Sequence, residues 1–440
     1  PGPGCPRHAA GQTPEQRYVD WARPVFSAEE YRARRAALSD ALADTGGGVL
    51  LVPSSDGLTH GDTFRRLDGF AWLTGLDVPG SLLALDADRG SALLFLPPRD
   101  PRFENPGRPN DFPGRPLGDD PALAALAGLT RTVPAAAVGD SLAAWAGAGR
   151  RFRVDAGRPG RAEPPEAPLT GALDSVATLL LHLDGRGIRP ENAFEAVARV
   201  RMVKRPAEVA VMRRAADATM DAIRTTAARI RPGVDEATLQ GVFEAGCRAA
   251  GADRIPFTPI VKSGPNSLWP WRILAAHYDR RNRTMDAGDL VILDVGCEVD
   301  GYVSDVGRTF PVGGRFTEVQ REKLAVSTRA ADAIIAAARP GVTFADLTRV
   351  AYDAIPDEEE RYMQTPSFFG HHIGLAAGDP ALPDAPLEAG MVFTVEPWYY
   401  NHDLGVSVFV EDVILITETG AEVLTRDLPR SADELERMIR

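Results

Sequence analysis

Hydrophobic and polar positions alternate in two β-type runs on either side of Asp300-Gly301, within the stretch Leu290 to Phe310. Asp-Gly between such runs predicts a β-hairpin, because both central residues of the tight turn take positive φ. If Asp300 and Gly301 are central, Asp305 faces Gly296, and Asp294 lies two residues from Gly296 on the same face. Moving the turn back by one position makes Asp294 and Asp305 direct partners. Either register puts both carboxylates on one face, since side chains alternate with period two. Inside an apolar sheet that pair needs a cation, because desolvated like charges raise each other's pKa. On a solvated face it needs none.

Elsewhere the pattern changes period. Ser27 followed by Ala28 to Leu42 reads as an N-cap and a helix. Val49–Val52, Phe70–Leu73, Ser81–Leu85 and Ala92–Leu96 read as buried strands of an α/β domain. Residues 1 to about 15, Pro97 to Gly118 and Pro159 to Pro168 are Pro-rich and read as loose or looped. The Gly/Pro stretch Asp184 to Pro190 separates two helical patterns, which gives an N-terminal domain over 1–185 and a second over 186–440.

A long helix opens at Pro206, with Val209, Met212, Ala216, Met220, Ile223, Ala227 and Ile230 in one apolar stripe suited to pack on a sheet. It ends in Arg231-Pro-Gly-Val234, and an amphipathic segment follows from Asp235. The same succession returns at Arg339-Pro-Gly-Val342, an offset of 108 residues, which implies an internal duplication. A second carboxylate hairpin should then follow. Met391 to Tyr400 and Val406 to Ile416 supply it around Asn401 to Gly405, with Glu396 and Glu411 at offsets of 102 and 106 from Asp294 and Asp305.

Four inward carboxylates near a pseudo-two-fold axis would be neutralised by two divalent cations. Oxygen ligands with at most one imidazole suit Mn²⁺, with Co²⁺, Fe²⁺ or Zn²⁺ as alternatives. Such a pair, roughly 3.5–4 Å apart, activates water and polarises a carbonyl. His371 precedes the second hairpin and is the candidate imidazole.

The totals narrow the class further. A chain of 440 residues defaults to at least two domains, and its net charge of -12 disfavours nucleic acid and anionic membranes as partners. Cys5, Cys247 and Cys297 show neither a zinc-knuckle spacing nor a disulfide framework. No signal segment opens the sequence, which begins at Pro1 without Met, so a cytoplasmic setting is the default expectation.

With these residues in view, the chain resembles the aminopeptidase P/prolidase family of pita-bread metallopeptidases. The resemblance implies a fold of an N-terminal α/β domain and a C-terminal pita-bread domain with an internal pseudo-two-fold repeat. The family's ligands fall on Asp294 in Leu-Asp-Val-Gly, Asp305 in Ser-Asp-Val-Gly-Arg-Thr-Phe, His371 in His-His-Ile-Gly, Glu396 in Thr-Val-Glu-Pro and Glu411 in Val-Glu-Asp. His277 in Ala-Ala-His-Tyr fits the substrate-contacting histidine, Met202 to Ala215 the helix that opens the catalytic domain, and Phe64 to Pro98 the N-terminal domain of aminopeptidase P.

The implied activity is hydrolysis of the N-terminal Xaa-Pro bond of peptides, or of Xaa-Pro dipeptides as in prolidase. A metal-bridging hydroxide attacks, Glu396 shuttles the proton, the metals stabilise the oxyanion and His277 holds the substrate. The resemblance also implies a homo-oligomer, a dimer or tetramer.

Departures concern the substrate pocket. Gly378 stands where a second histidine is usual, Ser367 where an upstream histidine is frequent, Phe409 where an arginine is common and Trp398 where glycine is common. His372 or His402 is a candidate replacement imidazole. Two further readings keep the fold: a related hydrolase of another C–N bond, and a non-catalytic binding protein.

Overall fold

A computed structural model describes residues 19, 22–55, 67–99, 118–158, 176–269, 282–364 and 368–439. Residues 1–15, most of Pro97 to Gly118, Pro159 to Pro168, and Cys5, Phe64, His277 and Ser367 lie outside them. The chain forms two compact units that divide between Val200 and Arg201.

The first unit is built on a six-stranded mixed sheet in the order β4-β3-β2-β1-β5-β6, comprising β1 (Val49–Pro53), β2 (Leu82–Asp86), β3 (Ser91–Leu96), β4 (Arg131–Pro134), β5 (Phe152–Val154) and β6 (Glu191–Asn192). β1 to β3 pair antiparallel, and β4, β5 and β6 join in parallel. Leu51, Leu82, Ala84 and Phe95 pack with Leu142, Leu179 and Leu183 from helices Val138–Gly147 and Val176–Asp184. Ser27 caps helix Ala28–Ala43, its Oγ accepting the Glu30 N–H at 3.3 Å. The Gly/Pro stretch after Asp184 turns the chain into β6, and the unit boundary comes later, within helix Phe194–Met202.

Phe70–Leu73 departs from expectation. It lies in a helix, Asp68–Thr74, with Phe70 through Thr74 all buried. A four-residue apolar run fits a buried helix as well as a buried strand. Two features select the helix: Gly75 closes it at φ 67°, and the buried guanidinium groups of Arg34 and Arg35 donate to the last-turn carbonyls of Trp72 and Leu73.

In the second unit the duplication appears as two helix pairs, each followed by strands. Pro206–Ala227 and Glu236–Ala249 form the first pair, Glu318–Ala337 and Phe344–Asp353 the second. Asp235, Thr317 and Thr343 cap three of these helices through side-chain oxygens. The apolar stripe of the first helix is buried, and that helix packs on β9 to β11, with Thr219 Oγ1 accepting the Cys297 N–H at 3.0 Å.

The first hairpin comprises β8 (Leu290–Val295), β9 (Glu298–Val299), β10 (Tyr302–Val303) and β11 (Val306–Pro311), with β7 (Ile260–Ser263) beside β8. Asp300 has φ 52° and Gly301 φ 83°, the positive pair a two-residue turn requires. After β12 (Met363–Gln364), the second half has β13 (Val392–Val395) paired with β16 (Asp412–Ile416), and β14 (Trp398–Asn401) with β15 (Val406–Phe409); β17 (Ala421–Val423) edges β16. No helix among the described residues is long and apolar enough to cross a membrane.

Cys247 and Cys297 form a disulfide with Cα atoms 5.7 Å apart, which corrects the reading that no disulfide is indicated. The fold brings the end of helix Glu236–Ala249 against the β8–β9 connection, an adjacency that cysteine spacing cannot reveal.

Candidate metal centre

The first hairpin adopts the register in which Asp300 and Gly301 are central. Gly307 pairs with Asp294 and Val306 with Val295, and Ser304 N–H donates to Cys297 O at 3.1 Å, which leaves Asp305 opposite Gly296. Asp294 and Asp305 thus share a face, and their carboxyls share a hydrogen bond. In the second hairpin, Val395 pairs with Asp412 and Trp398 with Phe409, so the same register continued sets Glu396 opposite Glu411.

Gly307 joins the two halves. Its N–H donates to Glu411 O at 3.3 Å and its carbonyl accepts the Glu411 N–H at 2.9 Å. A Cβ on Gly307 would lie 2.1 Å from the Phe409 ring and 2.9 Å from the Glu411 Cβ, so the approach requires glycine.

His371 arrives on a segment that runs beside β13. Phe369 O accepts the Glu396 N–H and His371 O accepts the Thr394 N–H, both at 2.9 Å. Gly370 makes this possible, since its φ is 152° and a Cβ there would lie 1.9 Å from Thr394 O. Thr394 Oγ1 accepts the His371 N–H and donates to Glu396 Oε1, each at 3.1 Å, tying the two side chains' positions together.

His371 Nε2 is 3.6 Å from Asp305 Oδ2 and 3.4 Å from Glu396 Oε1, and ligand atoms of Asp305, His371 and Glu411 all lie within 4.8 Å of one another. These spacings are long for direct hydrogen bonds. Two ligand atoms each about 2.1 Å from a shared ion are separated by about 3–3.5 Å, so an ion suits them better.

The electrostatics agree. Burial, reinforced by the Glu396 charge, pushes the Asp294 carboxyl up to about 8. Burial and neighbouring carboxylates push Asp305 and Glu411 well above the carboxylate range. Asp305 Oδ1 and Glu411 Oε2 are buried without a hydrogen-bond partner among the described residues. Deprotonated oxygens there need a cation, and these residues fit a divalent-metal site.

A pH effect follows. The folded metal-free protein holds protons that the unfolded chain releases near pH 4, so its stability should fall as pH rises from about 4 to about 8. Bound metal replaces those protons. Melting curves of metal-stripped protein should therefore decline over that window, with the stabilisation by added Mn²⁺ widening; an apo profile that rises with pH would contradict this.

Among the described residues, neither His372 nor His402 belongs to the group of ligand atoms around Asp305. His277 lies outside the described residues. His372 is buried, its ring centroid 5.2 Å from Phe344 and 5.8 Å from Phe393, and burial with the Lys204 charge lowers its pKa to about 3. His402 is exposed at the turn after β14, stacked 6.5 Å from Tyr400. Gly378 is exposed, with open space where a Cβ would stand.

Sequence reasoning missed Thr394, Tyr400 and Arg308. Tyr400 lies on β14, and burial, Asp294 and Glu396 keep its phenol protonated. Arg308 is fully buried and donates from Nη2 to Asp412 Oδ1 at 2.7 Å and from Nη1 to Glu411 O at 2.5 Å. An arginine within an apolar strand run was the available signal.

The profile of metallopeptidase family M24 matches residues 210–418, and that of the aminopeptidase P N-terminal domain matches residues 31–105. The Xaa-Pro aminopeptidase of Escherichia coli K12 is 28% identical, with 94% of this chain and 98% of the relative covered. The mitochondrial intermediate cleaving peptidase 55 of Arabidopsis thaliana is also 28% identical, over 94% and 84%. The structure of E. coli aminopeptidase P with the inhibitor Pro-Leu superposes with a TM-score of 0.74 at 26% identity, covering 94% of this chain and 98% of that one. The fold is that of this aminopeptidase P structure, and the residues matched by the M24 metallopeptidase profile include Asp294, Asp305, His371, Glu396 and Glu411. Within that class, the chain belongs to the aminopeptidase P family.

Proposed function

We propose that this chain is a metal-dependent aminopeptidase that hydrolyses the bond between an N-terminal residue and a following proline. The observation that carries the reading is the convergence of Asp305, His371 and Glu411 with Asp294 and Glu396, where buried carboxylate oxygens lack partners. The relatives' activity supplies the bond. Asp294, Asp305, His371, Glu396 and Glu411 would hold two divalent ions, Mn²⁺ by preference, which when bound supply an activated water and a Lewis acid for the scissile carbonyl.

The chain's own groups do the rest. Glu396 Oε1 is fixed by Thr394 Oγ1, leaving Oε2 to accept the water's proton and return it to the leaving nitrogen. The Tyr400 phenol, kept protonated beside Asp294 and Glu396, can donate a hydrogen bond to developing negative charge. His277 is the proposed holder of the substrate.

The test is a panel of Xaa-Pro dipeptides, Xaa-Pro-Xaa peptides and matched Xaa-Ala controls, on stripped enzyme with and without Mn²⁺. Metal-restored cleavage confined to Xaa-Pro bonds, faster on the longer peptides, is expected. Faster cleavage of dipeptides would favour the prolidase reading, and no cleavage despite bound metal would remove the Xaa-Pro assignment.

A further inference from the structure

Strand β14 presents alternate residues to opposite sides. Tyr399 faces helix Glu318–Ala337 and its surroundings, its OH donating to Glu359 Oε2 at 2.5 Å. Trp398 and Tyr400 therefore share the opposite face, and Tyr400 there lies close enough to Asp294 and Glu396 for both charges to act on its phenol. On β15, Phe409 lies directly across from Trp398.

The rings of Trp398, Tyr400 and Phe409 form a continuous surface. Trp398 lies 4.4 Å from Phe409 and stacks on Tyr400 at 5.1 Å, with planes 14° apart. Trp398 Nε1 donates to Ser407 Oγ at 3.0 Å, which fixes the indole in place. Phe409 is fully buried, wedged over Gly307, with its backbone clamped by Thr309: its N–H donates to Oγ1 at 2.7 Å, and its carbonyl accepts from Oγ1 at 2.9 Å. Trp398 stays partly exposed, so a supported, flat apolar face opens beside the catalytic carboxylates.

We propose that Trp398, propped by Phe409 and Tyr400, is a specificity-determining wall that selects peptides with a neutral, bulky apolar side chain next to the scissile Xaa-Pro unit. This rests on the Xaa-Pro reading above and names the substrate class of that site. An aromatic face rewards apolar contact and gives a charged side chain no counterion, while its desolvation is costly.

The test compares wild type with Trp398→Gly, Trp398→Phe and Phe409→Arg on Xaa-Pro-Leu, Xaa-Pro-Phe, Xaa-Pro-Ser and Xaa-Pro-Asp, and on Leu-, Phe- and Asp-Pro peptides, with metal content and melting temperature recorded. Trp398→Gly should lower the Leu/Ser or Phe/Asp preference at one peptide position by roughly tenfold or more, mainly through KM, at unchanged metal content. Trp398→Phe should restore most of it, and Phe409→Arg should raise relative turnover of acidic peptides. Unchanged selectivity in folded, metal-loaded Trp398 variants overturns the proposal. If Trp398→Gly fails to fold, the Phe variant decides: selectivity equal at every position to that of a Trp398→Ser protein would also overturn it. Failure of wild type to cleave any Xaa-Pro peptide would remove the underlying reading, a result distinct from unchanged selectivity.

Discussion

Replacing Glu411 with glutamine is expected to cut kcat/KM on an Xaa-Pro-Xaa peptide by roughly a thousandfold or more while making the metal-free protein more stable at pH 8. The two effects have one cause. Glu411 is almost fully buried, its Oε2 has no hydrogen-bond partner among the described residues, and Asp305, Glu396 and Asp294 all oppose its ionisation. Without metal, the neutral amide relieves repulsion that the native side chain endures. With metal, it removes an anionic ligand that the ions need. Activity and melting temperature, measured on stripped and Mn²⁺-loaded protein, should move in opposite directions; a variant that loses stability in the metal-free state would indicate an ordinary structural carboxylate.

Asp379→Asn should be the most damaging structural change near the site, at about 3–5 kcal/mol. The Asp379 carboxylate pairs with Arg201 and, at 3.1 Å, with Lys204, and all three side chains are buried. These cations and burial act in opposite directions on its pKa, and the pairing prevails, holding it below the usual carboxylate value. Asparagine would remove the negative charge that the two buried cations share. Asp379 N–H also donates to His372 O at 3.0 Å, so the loss would propagate to the segment that carries His371. A fall in melting temperature of roughly 6–20 °C is expected by thermal unfolding, and an unchanged value would refute the role assigned to this triad.

The parts of the centre that were legible in the sequence are those set by local chemistry. Asp300-Gly301 specifies its turn through backbone φ, and the turn fixes the register that puts Asp294 and Asp305 on one face. The duplication then locates Glu396 and Glu411 without any long-range information. What the sequence conceals depends on tertiary contact. Phe70–Leu73 is apolar on every side, so nothing in its pattern separates helix from strand, and the deciding arginines lie 38 residues away from the carbonyls they cap. Cys247 and Cys297 meet only because a helix end packs on a hairpin. Whether His372 can serve a substrate depends on its aromatic neighbours, which no sequence interval records.

The role of Trp398 shows the same division. Its place on the face of Tyr400 follows from period-two alternation, whereas its support by Phe409 requires the cross-strand register. A departure from family pattern at two separate positions becomes one physical unit only when the strands are paired.

The most direct test is a calorimetric titration of Mn²⁺ into metal-stripped protein, run beside cleavage of an Xaa-Pro-Xaa peptide at each point. Two ions bound per chain, with turnover appearing as the sites fill and absent from Glu411→Gln, is the predicted result. Cleavage that proceeds without metal, or a protein that binds no divalent ion, would contradict the assignment of Asp294, Asp305, His371, Glu396 and Glu411 as a catalytic metal centre.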